Sequence, residues 1–304
     1  MTTGAGPVTA SSGTPASSAI TQTFARCHAE GRAALVGYLP ACFPTPERGV
    51  AALRALVEGG VDIVEIGLPY SDPGLEGPVI AQSHEVALRA GSTTAHVLRT
   101  VEAVAATGVA TLVMTYWNPI ERYGVDRFAA DLANAGGSGL ITPDLLPDEA
   151  EPWLAASDAH RLDRVFLVAP SSTDQRIALT TRFCRGFVYA TSVMGVTGAR
   201  DQTSSLAPTL VSRARQHTDL PIGVGLGVSN GAQAAEVAGY ADAVIVGSAF
   251  VRRVLDARGI GEEADGVRTL AAELAAGVRR RPPADRGQVQ PAVTRSLAVP
   301  SETP

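Results

Sequence analysis

The sequence predicts an α/β protein: a (β/α)8 TIM barrel with an extra helix after its second strand. Three observations carry that prediction. Eight short apolar runs alternate with amphipathic stretches between residues 20 and 278. The runs lack the polar alternation of a half-exposed strand, which is how parallel strands covered on both faces read. The core of about 260 residues is also close to the roughly 250 of such barrels. Strand–helix alternation implies a parallel sheet with helices outside, and eight units favour closure over an open sheet.

Residues 1–19 are almost entirely Ser, Thr, Gly, Ala and Pro. They lack the charged and apolar segments of a leader peptide and read as a disordered tail. The first strand is expected at Ala33–Leu39 and the second at Val61–Gly67. Between them Val50, Leu53, Leu56 and Val57 form a helical stripe that Gly59-Gly60 stops. The next interval is long enough for two helices, Pro78–Ala90 and Thr93–Ala106, before the third strand at Thr111–Trp117. Further strands are expected at Gly139–Leu145, Arg164–Ala169, Gly186–Ser192, Pro221–Gly227 and Asp242–Ser248. Val267, Leu270, Leu274 and Val278 mark a final helix. Residues 279–304 open with Arg279-Arg280-Arg281-Pro282-Pro283 and read as a second disordered tail, its arginines a helix-end charge cluster.

Composition removes several functions. A net charge of −5 argues against nucleic-acid or anionic-membrane partners. No apolar run approaches the roughly 18 residues of a membrane helix. The chain has no lysine, and all 25 basic residues are arginine. That excludes imine-forming aldolase chemistry, a pyridoxal-phosphate anchor and a Walker-A phosphate site. Cys27, Cys42 and Cys184 are too far apart for a motif and read as reduced thiols of a cytoplasmic protein. The five histidines show no ligand spacing, so no metal and no cofactor are expected.

Barrels of this class commonly hold phosphate after strands seven and eight. Here those positions carry Gly223, Gly225, Gly227 and Gly231, then Gly247-Ser248 before a helix near Ala249. Glycines let backbone N–H groups approach an anion, and a helix N-terminus supplies more donors. Tight turns alone would need the same glycines. Their spacing does not match the dinucleotide fingerprint.

Acid–base chemistry points to Glu65, at the end of an apolar strand on the same face as Val61 and Ile63. If that face is the barrel interior, burial raises its pKa and lets it exchange protons near neutrality. The alternative is a glutamate paired with a helix arginine. Glu76, on the loop leaving that strand, reads in isolation as an exposed acid. Tyr189 is either core or a hydroxyl facing the ligand, and Asp144 a ligand contact or, more readily, a helix N-cap. The glycines around Thr197 suit a lid over substrate or an ordinary connector.

The runs Glu65-Ile-Gly-Leu-Pro-Tyr-Ser-Asp-Pro, Met194-Gly-Val-Thr-Gly-Ala, Gly225-Leu-Gly227 and Gly247-Ser248 occur in this order. With Gly37-Tyr38-Leu39-Pro40 and Met114-Thr-Tyr-Trp-Asn-Pro, they resemble the tryptophan synthase alpha chain family from about Thr23 to Leu274. The resemblance implies a barrel lyase of tryptophan biosynthesis that cleaves indole-3-glycerol phosphate to indole and glyceraldehyde 3-phosphate. It also implies a pyridoxal-phosphate beta chain as partner in an alpha2beta2 complex, with Pro69 to Pro73 part of the contact surface.

By the same resemblance Glu65 shuttles protons between indole C3 and the glycerol hydroxyl. Glu76 stands where the family has an aspartate that holds the indole N–H, and Tyr189 lies near the glycerol chain. Thr197 matches the lid threonine. Gly198, Gly227, Gly247 and Ser248 match phosphate contacts, with Gly225 beside them. The absence of lysine fits a reaction whose ring is its own electron sink, and excludes the neighbouring indole-glycerol-phosphate synthase reaction, whose family relies on lysines. Departures cluster near one loop: Glu76 itself, Gly74-Leu75, Ala81 where glutamine is usual, and Cys42 where glycine is common. They leave two outcomes: a weakly active or inactive alpha-like subunit that mainly activates a beta chain, or neighbours that re-aim Glu76 and keep activity ordinary. A barrel acting on another sugar phosphate is a third reading.

Overall fold

The computed structural model describes residues 17–191 and 206–280. Among them nine parallel strands form one sheet: β1 Ala34–Pro40, β2 Ile63–Gly67, β3 Ala110–Met114, β4 Gly139–Ile141, β5 Asp163–Val165, β6 Leu167–Val168, β7 Val188–Thr191, β8 Ile222–Gly225 and β9 Ala243–Val246. Their order is β5-β4-β3-β2-β1-β9-β8-β7-β6. β5 and β6 are the two halves of the run Arg164–Ala169, so both edges of the sheet belong to one stave. That stave pairs with β4 through its first half and with β7 through its second. The eight expected strands are thus the eight staves of a rolled sheet, the fifth interrupted at Phe166.

Alternation along each strand sorts the core into two shells. Val36, Ile63, Leu112, Ile141, Val165, Phe187 and Ile245 fill the interior. Leu35, Val64, Ile66, Val113, Leu140, Val188 and Val244 face the helices. Val61 departs from the expectation that it shares a face with Ile63 and Glu65. It precedes β2 and packs outward, where a Cβ on Gly37 would meet it at 3.2 Å. Period-two counting holds only inside the strand. Several strands also end earlier than expected, as β3 does at Met114, because the chain turns into the helix Trp117–Tyr123.

The two helices expected between β2 and β3 are Pro78–Arg89 and Thr94–Ala105, the second capped by Thr93. The helix Pro46–Glu58 ends at Gly59, and Glu262–Arg279 buries Val267, Leu270, Leu274 and Val278. A further helix, Ala19–Ala29, had no counterpart in the sequence reading and opens one residue inside the stretch read as tail. It is capped by Ser18 and sends Ile20, Phe24 and Cys27 into the interior cluster, closing the N-terminal end of the barrel. Below β2, Asp62 receives both arms of Arg32 at 2.7 and 2.9 Å and the Leu35 N–H at 2.9 Å. Among the described residues no helix is long and apolar enough to cross a membrane.

Candidate active site

One layer above the apolar interior, the inward positions become Tyr38, Glu65, Met114 and Tyr189. Tyr38 on β1 stands opposite Glu65 on β2, and Glu65 opposite Leu112 on β3. Glycines make room for the two phenols. A Cβ at Gly67 would lie 2.3 Å from the Tyr38 hydroxyl oxygen, and one at Gly225 2.6 Å from that of Tyr189. Any larger residue at either place displaces a ring. The mouth is therefore lined by two phenols, a carboxyl and Met114, held over a floor of apolar side chains.

Glu65 is fully buried, and among the described residues neither carboxyl oxygen has a hydrogen-bond partner. Among the described residues, the helix arginine weighed as an alternative partner does not pair with it. Burial alone pushes its pKa up to about 8, because a low-dielectric wall disfavours the charged form. At neutral pH the group is mainly a carboxylic acid that can release and recover a proton cheaply. Tyr189 lies close enough to feel both Glu65 and Glu76, and burial holds its phenol well above the usual range. It stays neutral and serves as a hydrogen-bond donor.

Glu76 is not the exposed loop acid suggested by its position alone. It is half-buried, and its Oε2 accepts a hydrogen bond from the Tyr116 hydroxyl. The same hydroxyl oxygen accepts from the Leu75 N–H at 2.9 Å. The Tyr70 ring stacks on Tyr116 with centroids 4.9 Å apart. Burial raises the Glu76 pKa, an effect the Tyr116 hydrogen bond opposes. Tyr116 itself was missed as a functional residue. It lies just past β3, in a run quoted only for its resemblance, and nothing local marks it as a partner for residue 76. Asp144 acts as a cap: both its oxygens accept from the Trp117 N–H, at 3.0 and 3.1 Å, at the start of the helix Trp117–Tyr123.

The glycine clusters divide by role. Gly223 and Gly225 clear space for the Phe187 and Tyr189 rings. Gly227 has φ +70°, a left-handed turn that favours glycine. The helix Gly231–Ala238 that follows is already satisfied at its N-terminus: Asn230 accepts from Ala232 and Gln233 N–H, and Glu273 from Gly231 N–H. The helix Ser248–Leu255 is different. Its N-cap is Gly247, and no side chain caps it. The amides that open this helix after β9 therefore have no side-chain cap, and Gly247 lies next to the Tyr38 ring, whose Cδ1 would be 3.4 Å from a Cβ there. Such donors suit an anion. Thr197 and Gly198 lie outside the described residues.

Residues 24–279 match the family model described as tryptophan synthase alpha chain. The tryptophan synthase alpha chain of Acidothermus cellulolyticus is 73% identical over 265 residues, which cover 87% of this chain and 98% of that protein. That of Salinispora arenicola is 62% identical over 256 residues, 84% and 96% of the two chains. A solved structure of Mycobacterium tuberculosis tryptophan synthase superposes with a TM-score of 0.81 at 57% identity, covering 86% of this chain and 99% of that one. Beside such identities the departures at Glu76, Ala81 and Cys42 are minor.

Proposed function

The chain belongs to the tryptophan synthase alpha chain family, whose members cleave indole-3-glycerol phosphate to indole and glyceraldehyde 3-phosphate, and we infer that in this chain Glu65 moves the protons of that reaction. The unpaired, fully buried carboxyl carries the inference. As an acid it delivers a proton to indole C3, which turns the ring into an electron acceptor. As the carboxylate it then takes the proton from the adjacent glycerol hydroxyl. The carbon–carbon bond breaks, its electron pair returns to the ring, and the aldehyde forms. Protons balance, and the ring supplies the sink that an imine lysine would supply elsewhere.

Glu76 accepts the indole N–H and balances the positive charge that builds on the ring when C3 is protonated. The Tyr116 hydrogen bond supports the reading that this longer acid is re-aimed by its neighbours and remains active. Tyr189 donates to the glycerol chain. The phosphate sits on the open amides of Gly247 and Ser248, with Gly225 and Gly227 shaping the facing loop and Thr197 and Gly198 as the further contacts that the family resemblance implies.

A tryptophan synthase beta chain is the protein partner, and Pro69 to Pro73 form part of the surface it meets. Residues 69 to 72 line an open groove of about 550 Å3 with Asn118, Arg122 and Tyr123. The cytoplasm is the place of action, in keeping with three buried free thiols.

Indole release from indole-3-glycerol phosphate tests the reading, with and without a beta chain. Glu65→Gln is expected to lower it by about 10²- to 10⁴-fold. Undiminished release by that variant overturns the role of Glu65. No release by the unmodified chain in either condition, with stimulation of the beta chain retained, favours the purely regulatory subunit instead.

A further inference from the structure

His84 lies on the helix Pro78–Arg89, 3% exposed, and has no part in the reaction described above. Its two ring nitrogens touch two different parts of the site. Nε2 is 2.8 Å from the Tyr38 hydroxyl oxygen, and Nδ1 accepts the Tyr70 N–H at 3.3 Å. A backbone N–H can only donate, so Nδ1 is the bare nitrogen and the ring proton sits on Nε2. The Nε2–H then donates to the Tyr38 oxygen. The phenol's own proton must turn away from the imidazole. Tyr38 stands in register with Glu65, and its hydroxyl lies over Gly67 of the same strand as Glu65, so the available direction is the barrel mouth.

The second contact matters as much. Tyr70 stacks on Tyr116, and Tyr116 donates to Glu76. One chain of contacts therefore runs Tyr38–His84–Tyr70–Tyr116–Glu76 and joins the neighbour of one carboxyl to the holder of the other. We propose that His84 is a positioning residue: its Nε2–H turns the Tyr38 hydroxyl proton into the cavity shared with Glu65, while its Nδ1 anchors the loop that carries Glu76. Burial keeps the imidazole neutral, its pKa lowered to about 4, so the tautomer holds through the working range.

The groups that face Tyr38 and Glu65 in this cavity are Glu76 from the loop, Tyr116 after β3 and Tyr189 on β7. Tyr38 makes no hydrogen bond to Glu65, but a hydroxyl dipole aimed into the cavity they share favours the ionised form of Glu65. Removing or misdirecting it must raise the pH at which Glu65 loses its proton.

The proposal rests on Glu65 as the proton-transferring group, and the pH profile of kcat/KM for indole release by the full-length chain tests it. His84→Leu is expected to lower kcat/KM about tenfold. It should also move the alkaline limb, where Glu65 loses the proton it must deliver, up by about half a pH unit. Tyr38→Phe should give the same displacement, since it removes only the hydroxyl. His84→Gln, which keeps an N–H near the Nε2 position, should return the limb toward its original place. A limb unmoved in Tyr38→Phe, or His84→Gln behaving like His84→Leu, overturns the proposal. So does a His84→Leu protein that loses only thermal stability. Tyr38→Phe keeps the test decisive should His84→Leu fail to fold. Glu65→Gln separates the two ideas: if it still releases indole, the role of Glu65 falls, whereas a moved limb with an inactive Glu65→Gln supports both.

Discussion

Asp62 and Glu65 are three residues apart around the start of one strand, both buried, and their carboxyls behave in opposite ways. Asp62, at the floor of the barrel, is held by Arg32, the Leu35 N–H and Arg26, which keep its pKa below the usual range despite burial. Glu65, at the mouth, has no hydrogen-bond partner among the described residues, and burial drives its pKa up to about 8. The same low-dielectric wall thus yields a fixed structural anion at one end and a mobile proton at the other. What differs is the supply of donors. The mouth gives up stability for a titratable group, and the floor does not.

The sharpest way to break that comparison is to remove the titration at the mouth. The folded pKa of Glu65 lies above its ordinary value of 4.5. The folded state therefore holds a proton that the unfolded chain has lost, and stability falls as pH rises from about 4.5 to about 8. The slope reaches up to roughly 1.4 kcal/mol per pH unit, so the whole window is worth several kcal/mol. Glu65→Gln should flatten it, leaving the variant more stable than the parent at pH 8 in urea titrations while indole release collapses. An unchanged slope would mean that the carboxyl is already paired or wet.

At the floor the sign reverses. Asp62 contributes stability above its unfolded pKa that is lost as pH falls through its lower folded value. Arg32→Met leaves that carboxylate buried without its bidentate partner, and about 3 kcal/mol or more of stability should go. The alkaline limb of the activity profile should stay where it was, because the mouth is untouched. A displaced limb would show that the two ends of the barrel are electrostatically coupled.

The smallest effect separates the two helix N-termini near the phosphate end. Asn230→Ala removes a cap from Gly231–Ala238 and should cost about 1 kcal/mol in melting experiments, with KM for indole-3-glycerol phosphate unchanged. A raised KM would place the phosphate on that helix rather than on Ser248–Leu255.

Much of the fold was legible because parallel strands and amphipathic helices announce themselves locally. The two helices between β2 and β3 follow from the length of that interval, and the final helix from the stripe Val267, Leu270, Leu274 and Val278. The helix Ala19–Ala29 carried a readable pattern, Ile20, Phe24 and Cys27, but a neighbouring Ser- and Gly-rich tract masked it. At the site, Glu65 stood out as a charge in an apolar strand. Tyr116 and His84 did not, because each acts through a partner far away in sequence: Tyr116 reaches Glu76, and His84 reaches Tyr38. No local periodicity encodes such pairs.

Taken by itself, the order of residues determined which side chains line the barrel, where its glycines fall, and that an acid sits among them without lysine chemistry to help. Only the packed molecule decided which acid keeps its proton. Charge in a dry interior depends on donors within about 3 Å. Here those donors come from other staves and loops: Asp62 found an arginine, and among the described residues Glu65 found none.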